Sequence, residues 1–315
     1  MNGSIMLHSD QIKAEAKRLG FYAAGIAQAA PLDADYAQRY KAWLKNGHQA
    51  DMAWIEKHLD KRLNPCLLVE GARTIVSVAL GYYLTDAESG GAVSLARYAR
   101  GRDYHDVMRE RLKALMAALG LQDYVDGRVF CDTAPIDERY WARQCGLGWP
   151  GRSGQFIIPG AGTYFFLGEL VLIHPTDHYD QPATAHCGRC RKCIDACPTG
   201  ALMGDGTLDA RRCLSYLTIE HRGELPADTG SKMGSCFYGC DRCAEVCPWN
   251  RFAQPTTEKD FLPKPELKKM TTSDWQNLNV DTYRRLFKGS AVKRAGFDGL
   301  TRNIRTLKDA QDTDN

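Results

Sequence analysis

The feature that most constrains this chain is a dense group of cysteines in its second half. Nine of the twelve cysteines of the 315-residue sequence lie between Cys187 and Cys247. The first run, CGRCRKCIDACP, contains Cys187, Cys190, Cys193 and Cys197. Its C-x2-C-x2-C-x3-C-P spacing is that of bacterial proteins that bind two [4Fe–4S] clusters. A segment with this spacing is predicted to fold around its clusters, with many tight turns and few regular elements.

A second run, CDRCAEVCP, supplies Cys240, Cys243 and Cys247. In this arrangement the last cysteine of each run binds the other run's cluster. The predicted ligands of the first cluster are Cys187, Cys190, Cys193 and Cys247. Those of the second cluster are Cys197, Cys240, Cys243 and one further thiolate. The usual position for that thiolate holds Phe237, so either Cys213 or Cys236 must supply it, and spacing alone does not choose between them.

Two other metal sites have related spacings. Paired C-x2-C motifs suit structural zinc, but a zinc site requires neither the Cys-Pro after an x3 spacing nor a duplicated run. Cys236, Cys240 and Cys243 also form C-x3-C-x2-C, the pattern of radical S-adenosylmethionine enzymes. Too little chain follows them to build the barrel of that class. The sequence therefore favours two [4Fe–4S] clusters.

The remaining composition bears on the compartment and on partners. Met1–Asp10 lacks the basic-then-apolar pattern of a signal peptide, and no apolar run reaches the length of a membrane span. Clustered thiols suit a reducing compartment, so we expect a cytoplasmic protein that does not bind membranes. We also expect a monomer. The net charge of +3 permits a nucleic-acid partner only if the positive charge is clustered.

The rest of the chain divides around the cysteine-rich segment. Residues 1–180 alternate helical and extended patterns, such as the buried strand Thr74–Tyr83 and the amphipathic helix Asp103–Leu119. The prediction is an α+β fold: a mixed α/β domain over 1–180, a ferredoxin-like two-cluster domain over 181–254, and a short helical segment over 255–315.

Asp132 is the candidate catalytic residue of the first domain. It follows the predicted strand Tyr124–Cys131 and precedes a turn at Thr133–Pro135. A carboxylic acid there can deliver a proton to a reduced substrate if burial raises its pKa. The alternative is that Asp132 only caps a helix that begins near Pro135. Judged from the residues alone, capping is the more frequent role.

Seven stretches of the chain, between about residues 55 and 250, carry a pattern of greater specificity. They are Lys61-Arg62, Tyr98–His105 (YARGRDYH), Asp132–Arg139 (DTAPIDER), Gly146–Trp149 (GLGW), Arg212–Glu220 (RCLSYLTIE), Tyr238–Cys243 (YGCDRC) and Val246–Asn250 (VCPWN). Together they resemble the epoxyqueuosine reductases, cobalamin-dependent enzymes of tRNA queuosine synthesis. The chain departs from that family at Ala134, where glycine is usual, and at Arg152, where lysine is usual.

The resemblance implies that the chain reduces the epoxide of epoxyqueuosine to queuosine at the wobble position of the tRNA anticodon. In that family the two clusters pass electrons singly to cobalamin, and an external low-potential donor supplies them. The resemblance further implies that Asp132 is the proton donor and that Cys213 completes the second cluster. The cobalamin contacts it implies are Arg62, Ala96, Asp132, Phe156, Leu167, Ser215 and Arg222.

Two other functions share part of this pattern. A cobalamin-dependent reductive dehalogenase also combines a corrinoid with two clusters, but the twin-arginine run of that class is missing near Met1. An iron–sulfur electron-carrier subunit would use the α/β domain only for docking. The common corrinoid motif D-x-H-x-x-G is also absent, because Met108 stands where glycine is required after Asp103 and His105. If cobalamin binds, we expect no histidine below its cobalt.

Overall fold

A computed structural model describes the backbone of residues 5–313, and their side chains except at positions 92, 93 and 313. One antiparallel sheet has four strands in the order β1-β2-β6-β3, and two short strands pair separately as β4 and β5. The strands are β1 (Ala23–Gln28), β2 (Thr74–Gly81), β3 (Gly127–Phe130), β4 (Trp149–Pro150), β5 (Phe156–Ile157) and β6 (Phe165–Leu172).

The longer helices flank the sheet or close the chain, and the helices around the cysteines are short. The helices before the cysteine-rich segment are α1 (Ser9–Arg18), α2 (Ala34–Lys45), α3 (Leu59–Leu63), α4 (Asp86–Ser89), α5 (Tyr104–Ala118) and α6 (Glu138–Gln144). The later ones are α7 (Lys192–Asp195), α8 (Leu214–Ile219), α9 (Thr229–Met233), α10 (Arg242–Glu245), α11 (Pro265–Lys268), α12 (Thr272–Gln276), α13 (Val280–Leu286) and α14 (Gly296–Thr313).

Both faces of the central sheet are covered. Strands β2 and β6 are almost entirely buried, which explains their nearly continuous apolar sequences. On one face, Ile12 of α1 and Leu112 of α5 join the apolar cluster that contains Val76. On the other face, Trp141 of α6 packs with Ile75. The result is a three-layer arrangement in which every strand pair is antiparallel, an α+β architecture as predicted.

Helices α11 to α14 share one apolar cluster with the cysteine-rich segment. Leu214 and Tyr238 pack there with Trp275 and Leu300, and Leu95 of the predicted α/β domain joins the same cluster. Asn303 of α14 donates from its side-chain amide to the backbone carbonyl of Thr218. The predicted domain boundaries at residues 180 and 254 stay predictions. Residues 1–4 of the first predicted domain and residues 314–315 of the last predicted segment lie outside the described part of the chain.

No helix within residues 5–313 combines the length and the apolar character that crossing a membrane requires.

Candidate functional site

Asp132 lies in the loop between β3 and α6, in an unusual backbone conformation. Its φ is 58°, in the left-handed region that few residues other than glycine adopt and in which aspartate is enriched. Its Oδ2 accepts a hydrogen bond of 2.5 Å from the Tyr104 hydroxyl and lies 3.0 Å from Nε2 of His105. The side chain is 51% exposed, so a substrate can reach it.

Asp132 does not cap the helix that follows it. Helix α6 begins at Glu138, and its cap is Asp137, whose carboxylate accepts a hydrogen bond from the backbone N–H of Tyr140. The predicted helix start near Pro135 is therefore three residues early, and the capping role considered for Asp132 belongs to Asp137. The Asp132 carboxylate faces α5 instead.

His105 joins two carboxylates. Its Nδ1 lies 2.7 Å from Oδ1 of Asp103, and its Nε2 faces Asp132. Burial lowers the pKa of His105, but the hydrogen bonds with Asp103 and Asp132 outweigh burial and raise the pKa to about 9. Partial burial raises the pKa of Asp132, but hydrogen bonds from His105 and Tyr104 bring it below the usual range. Near neutral pH, therefore, His105 holds the proton and Asp132 is a carboxylate.

A second carboxyl group contacts the Asp132 backbone. Oε1 of Glu138 accepts a hydrogen bond of 2.5 Å from the Asp132 N–H. Burial, followed by the charge of Asp132, raises the pKa of Glu138 to about 8. On β6, fully buried Glu169 accepts a hydrogen bond from the Ser77 hydroxyl, and burial raises its pKa well above the usual value. Near neutral pH, Glu138 and Glu169 are thus mostly protonated, and Asp132 carries the negative charge.

Three of the predicted cobalamin contacts lie beside the loop that carries Asp132. Nη1 of Arg62 donates to the Ile136 carbonyl at 3.3 Å. Its Nε is buried and has no hydrogen-bond partner among residues 5–313. The side chains of Phe156 and Leu167 are buried in the same apolar cluster as Ile136. The structure therefore places a guanidinium with an unsatisfied Nε beside this loop, and two apolar side chains in the cluster that contains Ile136.

The other predicted contacts, Ala96, Ser215 and Arg222, lie near the cysteine-rich segment. The backbone N–H of Ala96 donates to the Tyr238 carbonyl, and Ser215 lies in α8. Arg222 donates to the carbonyl of Arg294, and the charge of Asp132 contributes to raising the pKa of Arg294. Arg222 thus contacts a residue within electrostatic range of Asp132, whereas Ala96 contacts Tyr238 of the cysteine-rich segment and Ser215 lies two residues after Cys213.

The thiols predicted for the first cluster line one cavity. Its volume is about 260 Å³, and its walls contain Cys187, Cys190, Cys193 and Cys247 together with Arg152, His186, Trp249 and Arg251. Within the described part of the chain, no three His, Cys, Asp or Glu side chains converge closely enough to hold a single metal ion. In the described part of the chain, the four cysteines thus line a cavity and do not converge on the position of a single metal ion.

The remaining thiols meet near the start of α8. Cys213 is the N-cap residue of α8, and its sulfur faces the N–H groups of Ser215 and Tyr216. Burial raises the pKa of Cys240 to about 11, and the charges of Cys213 and Cys197 contribute to this increase. Burial raises the pKa of Cys213, and the two N–H groups oppose that increase. Cys213 is therefore close to two of the thiols predicted for the second cluster.

Cys236 has different surroundings. Its Sγ donates to the carbonyl of Tyr238 at 3.2 Å and lies 3.7 Å from that of Gly239. Burial raises the pKa of this thiol to about 12, as it also raises the pKa of Cys240, so the hydrogen bond and not the pKa distinguishes Cys236. A sulfur that donates to backbone carbonyls is a protonated thiol, whereas a cluster ligand must be a thiolate.

Sequence reasoning missed Tyr104, His105 and Glu138 as functional residues. Tyr104 and His105 belong to the stretch Tyr98–His105, whose polar D-Y-H end at the start of an apolar-striped helix is a usable signal. Glu138 lies six residues after Asp132 in the stretch DTAPIDER.

Two family models match the chain. The 4Fe-4S double cluster binding domain matches residues 186–250, and the model described as Epoxyqueuosine reductase QueG, DUF1730 matches residues 62–133. The first match confirms two [4Fe–4S] clusters as cofactors and rules out the structural zinc alternative.

Relatives extend the similarity over almost the whole chain. The epoxyqueuosine reductase of Cellulophaga algicola is 42% identical over 302 residues, which cover 96% of this chain and 98% of the relative. The epoxyqueuosine reductase of Escherichia coli is 37% identical, with coverage of 94% and 79%. A crystal structure of epoxyqueuosine reductase with a tRNA-Tyr epoxyqueuosine-modified stem loop superposes with a TM-score of 0.85 at 29% identity, covering 96% of this chain and 80% of that one. This chain therefore belongs to the epoxyqueuosine reductase family, as its motifs predicted.

Proposed function

We propose that this protein reduces the epoxide of epoxyqueuosine in the tRNA anticodon to the alkene of queuosine. The reaction consumes two electrons and two protons and releases the epoxide oxygen as water. The observation that carries the proposal is the half-exposed Asp132, hydrogen-bonded by Tyr104 and His105, in a chain that also contains a double-cluster domain. A proton source and an electron source for one reduction are thus present in one chain.

Cobalamin is the second cofactor of the family, and the residues at its predicted site fit it. The buried Nε of Arg62 is a donor that lacks an acceptor, and a corrinoid offers amide and phosphate acceptors. Phe156 and Leu167 belong to the apolar cluster that also contains Ile136, whose carbonyl accepts a hydrogen bond from Arg62. We propose that Arg62, Ala96, Asp132, Phe156, Leu167, Ser215 and Arg222 hold it. When bound, cobalamin supplies the low-potential reducing chemistry at the substrate.

We propose that the first cluster is bound by Cys187, Cys190, Cys193 and Cys247, and the second by Cys197, Cys213, Cys240 and Cys243. The shared cavity supports the first set. The mutual electrostatic influence of Cys240, Cys213 and Cys197 supports the second. The hydrogen bond from Cys236 to the Tyr238 carbonyl favours Cys213 over Cys236 as the fourth ligand.

The chain's own residues handle the protons. His105 stores a proton on Nε2 and passes it to Oδ2 of Asp132, 3.0 Å away. Asp132, now a carboxylic acid, delivers the proton to the epoxide oxygen as the carbon–oxygen bond breaks. Tyr104 and the Glu138 contact keep Asp132 in position between these transfers. Asp103 orients His105 through Nδ1.

Replacing His105 with glutamine tests this proton path. The wild-type rate is expected to fall as pH rises through about 9, because His105 then loses the proton that it stores. His105→Gln keeps a hydrogen-bond donor but has no titratable proton, so turnover should fall by about 100-fold and the alkaline limb near pH 9 should disappear. The measurement is a pH profile of kcat with saturating substrate. A variant that retains the wild-type limb would contradict the role of His105.

The function itself is tested with the cluster-reconstituted protein under anaerobic reduction. The substrate is a tRNA stem loop bearing epoxyqueuosine, and the readout is mass analysis of the digested nucleosides. We expect the modified base to lose one oxygen atom only when cobalamin is present. The matched control is the same stem loop bearing queuosine, whose mass must not change. No conversion despite reduced clusters and bound cobalamin would refute the proposal and favour an electron carrier or a dehalogenase.

We further propose a cytoplasmic monomer that receives electrons from an external low-potential donor. The abundance of cluster thiols supports a reducing compartment. Light scattering coupled to size exclusion measures the oligomeric state directly.

A further inference from the structure

The surface around the first-cluster cavity is strongly positive. We define the basic rim as the five cationic residues Arg152, Arg189, Arg191, Lys192 and Arg251. Arg152 and Arg251 line the cavity itself. Arg189, Arg191 and Lys192 are exposed in the loop that carries the ligands Cys187 to Cys193.

Most of this charge is uncompensated. Arg191 lies 3.5 Å from Asp195, in an exposed ion pair. No acidic oxygen lies within 4.0 Å of the charged nitrogens of Arg189, Lys192 or Arg251 among residues 5–313. The whole chain has a net charge of only +3, so the basic rim is a local concentration of charge rather than a reflection of overall composition.

A second cavity gives solvent another approach to the first cluster. Its volume is about 590 Å³, and it shares Cys247, Pro248 and Arg251 with the first cavity. The two acidic groups in its wall, Asp86 and Glu245, each lie 2.9 Å from the guanidinium of Arg97, which lines the same cavity. Arg97 is thus paired with these carboxylates, and Lys192 and Arg251 leave the charge of the lining positive.

We propose that the basic rim is the docking surface for an acidic one-electron carrier protein that reduces the first cluster. Complementary charge speeds the encounter of such partners, and weak electron-transfer complexes need only a small contact area. The basic rim would thus bind the electron donor that the proposed function requires, and in this respect the inference rests on the proposed function. Two encounters per turnover, each oxidising one carrier by one electron, supply the two electrons that, with two protons, convert the epoxide to an alkene and water.

A nucleic-acid role for the same residues is the competing interpretation. The observations favour the carrier because the basic rim surrounds the thiols of the first cluster, whereas the substrate must meet Asp132 between β3 and α6. RNA binding by the basic rim is one of the results that the test below can give.

The test is the rate of cluster reduction without tRNA, followed by stopped-flow absorbance of the reconstituted holoprotein. The probe is reduced plant-type [2Fe–2S] ferredoxin, an acidic carrier of low potential. For the wild type, the second-order rate constant is expected to fall at least tenfold between low and high ionic strength. The double variant Arg189→Glu/Arg251→Glu should be at least tenfold slower at low ionic strength and nearly insensitive to salt.

Two controls separate docking from damage to the cluster. Methyl viologen radical, a small cation, should reduce the double variant at least as fast as the wild type, because no docking is required and repulsion is relieved. Lys17→Glu, an exposed change on α1, should leave the ferredoxin rate of the wild type unaltered. Slowing with both reductants would instead indicate an altered cluster potential and would overturn the proposal.

Equal ferredoxin rates and salt dependence in the wild type and the double variant would refute the docking surface. Loss of stem-loop binding by the same variant, with its ferredoxin rate intact, would assign the basic rim to RNA. Because cluster reduction is followed without substrate, failure of epoxide reduction in viologen-reduced protein would count against the proposed function and leave the docking result standing.

Discussion

Replacing Cys213 with alanine is expected to remove the second cluster, whereas Cys236→Ala should leave both clusters in place. Cys213 lies at the N-terminus of α8, where the N–H groups of Ser215 and Tyr216 face its sulfur and oppose the increase in thiol pKa that burial causes. Cys236 instead donates to a backbone carbonyl and remains a thiol. Each variant removes one thiol, and the two positions are 23 residues apart in one segment. The two variants are therefore matched controls for each other.

The measurement is iron and sulfide content after anaerobic reconstitution, with electron paramagnetic resonance of the reduced protein. Cys213→Ala should lose about half of the bound iron or convert one cluster to a three-iron form, and epoxide reduction should fall below detection. Cys236→Ala should keep wild-type iron content and most of its activity. The reverse pattern would make Cys236 the ligand and would show that the loop at Tyr238 rearranges when the cluster binds.

Asp132→Asn is expected to reduce epoxide turnover by at least 100-fold while both clusters and cobalamin remain bound. Asparagine has nearly the same shape, but it cannot be protonated by His105 or deliver a proton to the leaving oxygen. Because Asp132 is half exposed and its described hydrogen bonds are with Tyr104, His105 and Glu138 and not with a cluster ligand, cluster assembly should not depend on it. The readout is single-turnover conversion of the stem loop, with cobalamin binding measured by absorbance.

Asp10→Asn is the matched control for this substitution, since Asp10 is exposed in the first turn of α1, outside the described contacts of Asp132. Its turnover should equal that of the wild type. If Asp132→Asn retained more than a tenth of wild-type turnover, the proton would have to reach the epoxide oxygen by another path, and Tyr104 would be the group to test next.

Part of the fold follows from local sequence. The apolar run predicted as strand Thr74–Tyr83 is observed as β2, and the amphipathic pattern Asp103–Leu119 is observed as α5. The predicted strand Tyr124–Cys131 is observed only over Gly127–Phe130, as β3. These predictions succeed because burial of one or two faces of an element requires apolar residues at a regular spacing in the sequence. The pairing of β2 with β6 leaves no such trace, since the two strands are about 90 residues apart and their register depends on the packed sheet.

The candidate site also combines features that the sequence predicts with features that only the packed structure shows. The sequence by itself determined the two-cluster segment, because ligands three or four residues apart are held by one short loop and their spacing reflects the cube they bind. It also singled out Asp132 but, without the family resemblance, favoured a cap. Only the tertiary structure decided that Asp132 faces Tyr104 and His105, since those partners come from α5 on the far side of the loop. Hydrogen bonds between distant segments depend on how helices pack on the sheet, and no local pattern encodes that packing.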